Sequence, residues 1–66
     1  MEVWESIKNY LENGTELKEL LIQIENDENM IQVIYGMLKY IDITGFLEDH
    51  QEYLMNYLER QYNLQY

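Results

Sequence analysis

Apolar residues in this chain recur three and four positions apart, in short runs cut by Asn-, Asp- and Gly-bearing breaks, and that pattern points to short amphipathic helices. The first run is Val3, Trp4, Ile7, Tyr10 and Leu11. On a helical wheel at ~100° per residue, Glu2, Glu5, Asn9 and Glu12 fall on the opposite side. Asn13-Gly14 closes this helix, because Gly readily takes the left-handed conformation of a C-terminal cap. Thr15 is then expected to cap a second helix, with Glu16 and Glu19 in its first turn near the positive end of the dipole. Leu17, Leu20, Leu21 and Ile24 supply its apolar face.

Glu25-Asn26-Asp27-Glu28-Asn29 decides whether the second and third helices are one rod. A continuous helix would put Asp27 and Glu28 among the apolar residues of the second face. The next face, Met30, Ile31, Ile34, Met37, Leu38 and Ile41, is centred roughly 120° away. A phase jump of that size calls for a break, with Asp27 as cap of the third helix. Val33 widens the third helix's apolar arc and suggests a central helix with two neighbours. Asp42-Ile43-Thr44-Gly45 reads as the next connection, with Thr44 or Asp42 as cap. A last helix is expected from about Phe46 to near Tyr62, its core face formed by Leu47, Leu54, Leu58 and the flanking Tyr57.

The expected fold is therefore all-α, a compact bundle of three to four short helices in one domain spanning 1–66. The alternative is an α+β fold with a central hairpin at about 20–25 and 30–35, since Ile and Val there favour strands and a polar segment separates the two runs. Against the hairpin, that segment contains no Gly, and the Leu, Glu, Lys and Met around it favour helix.

Sixty-six residues hide a modest share of their surface, and a core this small rarely supplies more than ~3–5 kcal/mol. The chain has no cysteine, which excludes disulfides and thiolate metal sites, and association with a copy of itself or with a partner is the expected supplement. Its apolar fraction of 47% is generous for such a bundle.

Thirteen acidic residues oppose four basic ones, for a net charge of −9. Nucleic acid and anionic membranes repel such a surface, while a basic protein surface attracts it. No stretch approaches the ~20 apolar residues of a membrane span. The acidic start lacks the features of a secretory signal. A cytoplasmic location and a complete small gene product beginning at Met1 are the expectations. Abundant Asn, Ile and Tyr, with no Ala or Pro, resemble the usage of an A/T-rich genome, such as a low-GC bacterium or its phage. Such genomes usually supply many lysines, yet only Lys8, Lys18 and Lys39 occur here.

Chemistry-bearing constellations are sparse. His50 lies beside Glu48, Asp49 and Glu52, but at the edge of a core face and without a nucleophile, so it reads as a boundary histidine. Asn26, Asp27, Glu28 and Asn29 offer oxygen ligands without the spacing of a calcium loop, and read as a solvated turn. No metal, cofactor or enzymatic activity is expected. The carboxylates form rows: Glu48, Asp49, Glu52 and Glu59 on the last helix, Glu2, Glu5 and Glu12 on the first. Residues four apart rise ~6 Å along a helix, close to the phosphate spacing of one nucleic-acid strand. Were the two helices side by side, the rows would merge into one anionic surface able to occupy a nucleic-acid-binding groove. Among the seven tyrosines, Tyr35 and Tyr40 fall toward the polar side of the third helix with Gln32, as a docking patch would.

Two functions follow as expectations. One is a small inhibitor or adaptor, in character like phage-encoded antagonists of host restriction, CRISPR or replication proteins, binding a basic surface through its acidic helical faces. The other is a self-associating module, a homodimer with a structural or regulatory role.

Overall fold

The computed structural model describes residues 3–64, which form four helices: α1 (Val3–Asn13), α2 (Leu17–Ile24), α3 (Glu28–Thr44) and α4 (Asp49–Tyr62). No strand occurs among the described residues, so the fold is all-α. The segments considered for a hairpin are the end of α2 and the start of α3.

Local chemistry sets each helix end. Gly14 follows α1 with φ 71°, and its N–H bonds the Tyr10 carbonyl at 2.8 Å. The break between α2 and α3 falls where the apolar phase jumps, and Asp27 caps α3 by accepting the Met30 N–H at 3.0 Å. Gly45, at φ 85°, ends α3 with a double closure. Its own N–H reaches the Asp42 carbonyl and the Phe46 N–H reaches Ile41, which satisfies two of the last carbonyls of the helix.

Three boundaries differ from the sequence expectation. Thr15 does not cap α2; Glu16 holds that position, in the left-handed region at φ 58°. Its carboxylate accepts a hydrogen bond from Asn9 at 2.8 Å, tying the turn back onto α1. Asp42 and Thr44 cap nothing, because α3 runs through both, and the Thr44 hydroxyl donates to the Ile41 carbonyl. α4 begins at Asp49 rather than near Phe46; Glu48 precedes it and Gln51 Oε1 accepts the Glu48 N–H at 2.9 Å.

Every helix contributes to one core: Ile7 and Tyr10 from α1, Leu20 and Ile24 from α2, Ile31, Ile34, Tyr35 and Leu38 from α3, and Leu54, Met55 and Leu58 from α4. α1 packs chiefly on α2 and α3 on α4, with a thinner α2–α3 contact, so α3 does touch two neighbours. The radius of gyration is 10.9 Å, matching the ~11 Å of a compact chain of this length. Two residues assigned to apolar faces point outward instead: Trp4 is half exposed, and Val33 is 43% exposed. The α3 core face is rotated toward Tyr35 and away from Val33, because α4 packs on the Tyr35 flank.

Candidate protein-binding site

The acidic rows do not lie side by side. α1 and α4 meet end to end. The Leu11 carbonyl, in the last turn of α1 where no intrahelical donor remains, receives His50 Nε2 at 2.8 Å and Gln51 Nε2 at 3.0 Å. A carbonyl only accepts, so Nε2 of His50 carries a proton. The Tyr10 hydroxyl donates in return to the His50 carbonyl at 2.6 Å, and its ring stands edge-on to the imidazole. Burial pushes the Tyr10 phenol above its ordinary range, with Tyr53 adding a smaller push. Gln51 is the buried polar residue of this junction, and both ends of its amide are satisfied. His50 thus is a boundary histidine engaged in packing.

This junction fixes which carboxylates share a surface. Glu12, in the last turn of α1, comes to the same end of the molecule as Glu48, Asp49 and Glu52, and all four are exposed. Glu48 lies 3.7 Å from Nδ1 of His50. None of the four pairs with Lys or Arg among the described residues. The carboxylates at the start of α4 also face the positive end of its dipole, so they stabilise the helix while charging the surface. Glu5 is exposed on the same face of α1 as Glu12, ~10 Å further along the helix, but Lys8 sits between them and interrupts that row. Glu2 lies outside the described residues.

Two expected site residues belong elsewhere. Tyr35 is buried, only 3% exposed, and its hydroxyl donates to the Glu59 carboxylate at 2.6 Å. Glu59 also pairs with Lys39 at 3.4 Å, and the Lys39 ammonium lies 5.7 Å from the Tyr35 ring centroid. Burial first, and the Glu59 bond second, push the Tyr35 phenol up to about 12. The Tyr35 bond chiefly, with help from Lys39, holds the Glu59 carboxyl below its usual value against the opposing effect of burial. Glu59 therefore joins the α3–α4 seam and leaves the acidic row. Wheel position alone placed Tyr35 outside, because the wheel cannot know that α4 would cover that flank. Tyr40 remains outward and is 69% exposed.

Sequence reasoning missed Gln51 and the outward apolar residues of α3. A polar residue four places from Met55 and seven from Leu58 on a core face was the available signal for Gln51. A shallow groove of about 360 Å³ between α2 and α4 is lined by residues including Lys18, Ile22, Glu25 and Tyr57. No helix among the described residues is long and apolar enough to cross a membrane. No family model matches the chain, and no curated protein or solved structure shows significant similarity to it.

Proposed function

We propose that this chain is a small protein-binding protein whose acidic end, Glu12 with Glu48, Asp49 and Glu52, docks on a basic surface of a larger protein. The favoured class of partner is a nucleic-acid-binding protein whose groove the carboxylates would occupy, so that the chain acts as an inhibitor or adaptor of phage type. One observation carries this reading: these four exposed carboxylates come to the end of the molecule where two helices meet, and none forms a salt bridge with Lys or Arg among the described residues. Rows of charge of this kind speed association and make it sensitive to salt.

The test is competitive capture. The immobilised chain and its Glu12→Lys/Glu52→Lys variant are exposed to a lysate of a low-GC bacterium at low salt, with and without duplex DNA. Neither substitution touches the core or the Glu48–Gln51 cap, and circular dichroism checks folding. The reading expects nucleic-acid-binding proteins on the parent chain alone, released by DNA and by salt. Capture that is indifferent to both the charge reversal and the DNA refutes it.

A further inference from the structure

The side of α3 that faces away from the core carries no charge, although the chain as a whole carries −9. Around the helix at ~100° per residue, Asn29, Gln32, Val33, Gly36, Tyr40, Ile43 and Thr44 share an arc of about 120° opposite the buried Ile31, Ile34, Tyr35 and Leu38. The charged residues Glu28, Lys39 and Asp42 all lie on the flank turned toward Tyr35. Val33, Tyr40 and Ile43 are 43%, 69% and 73% exposed. Gly36 sits among them with open space where a side chain would stand. An exposed apolar strip rimmed by polar residues marks an interaction surface.

We propose that a second copy of this chain covers it, through an antiparallel α3–α3 pairing about a two-fold axis at the level of Leu38. The spacing is self-complementary under that operation. Residues whose numbers sum to 76 face each other: Tyr40 stands over Gly36 of the second copy, Ile43 over its Val33, and Gln32 beside its Thr44. A large ring meets a gap, apolar meets apolar, and polar meets polar. A parallel pairing would instead oppose Gly36 to Gly36 and ring to ring. The antiparallel arrangement also sets the helix dipoles head to tail.

Charge names the same occupant. A basic partner finds nothing to attract it on this arc, whereas two strongly acidic copies can meet here without opposing carboxylates. With about 200 Å² for a fully exposed aromatic side chain, the strip offers roughly 400–500 Å² per copy, the size of the largest patch on a typical monomer. Two such strips bury at most roughly 800–1,000 Å², below the ~1,200–2,000 Å² of stable interfaces and within the weak, transient class, which means a dimer that dissociates on dilution. The pairing goes beyond the proposed acidic docking and does not depend on it, since the acidic end lies on other helices.

Sedimentation equilibrium of the full chain tests this across micromolar to millimolar concentrations, at low and high salt. The mass should rise from 8.1 kDa toward twice that value, and high salt should tighten association by screening repulsion between the copies. Gly36→Leu fills open space in a helix, so the monomer should fold and melt no lower than the parent; yet the new side chain occupies the Tyr40 seat, and association should weaken at least tenfold. An unspecific sticky patch would respond in the opposite direction, because leucine adds apolar area. Tyr40→Ala should weaken association similarly and does not depend on the behaviour of position 36. A parent chain that stays at 8.1 kDa throughout, association that weakens with salt, or a Gly36→Leu chain that associates as tightly as the parent, each overturns the proposal.

Discussion

Tyr35→Phe should change sign with pH. At neutral pH the phenol donates to the Glu59 carboxylate over 2.6 Å, a bond to a charged group. Such bonds contribute about 1.5–3 kcal/mol when fully buried, but the Glu59 side chain is 32% exposed and keeps Lys39, so the loss should be nearer 1 kcal/mol. The alkaline limb follows from the phenol itself. Its folded pKa is pushed up to about 12, against 10.0 for an ordinary tyrosine. A raised value means that the contribution is complete below the unfolded pKa and is lost as pH rises through the folded one. Linkage then removes about 1 kcal/mol from the parent by pH ~10.7 and about 2 kcal/mol by pH ~11.5, while phenylalanine loses nothing. The two chains should therefore be equally stable near pH ~10.7, with the variant ahead above it. The gap should also narrow in acid, because the Glu59 carboxyl is held low and its contribution disappears as pH falls through its folded value. Urea unfolding of both chains from neutral pH to pH ~11 measures the difference directly. A stability gap that stays constant over that range refutes the assignment of the Tyr35–Glu59 bond and the burial behind it.

The three glycines should respond to alanine with different signs, measurable in the same urea experiments. Gly14→Ala should cost about 2 kcal/mol or more, since left-handed strain combines with a methyl group placed 3.0 Å from Cγ of His50. Gly45→Ala should cost about 1 kcal/mol, from the left-handed backbone alone, because the space there is open. Gly36→Ala should stabilise the monomer by about 0.5–1 kcal/mol, as a helix-interior glycine does on replacement. Equal losses at positions 14 and 45 would contradict the close approach of His50 to the α1 terminus. Salt gives a separate check. With the Lys39–Glu59 pair the sole lysine– or arginine–carboxylate bridge among the described residues, added sodium chloride should raise the melting temperature by screening repulsion. A fall would mean that attractive pairs dominate the surface.

Much of the architecture was legible in the residues. The three–four spacing of Ile7, Tyr10 and Leu11, of Leu20 and Ile24, and of Leu54 and Leu58 defines helical faces whatever they pack against, because the period of the backbone is fixed. The phase jump after Ile24 required a break, and Asp27 sits where a cap must. The acidic residues that remain exposed at the junction, Glu12, Asp49 and Glu52, were also readable, since unpaired carboxylates stay in water. Tyr35 and Glu59 were misplaced for one reason: each sits on the flank of its own helix, and a flank is interior or exterior according to which neighbour covers it.

Sequence alone thus determined the helices, their breaks and the excess of negative charge, all of which depend on local geometry and composition. Only the tertiary structure decided that α1 meets α4 end to end, through Leu11 and the side chains of His50 and Gln51, that Glu59 turns inward to Tyr35 and Lys39, and that the other helices leave the outer face of α3 exposed. Those outcomes depend on how helices are arranged about a shared core, and a helical period specifies which side of each helix is apolar without specifying what that side will meet.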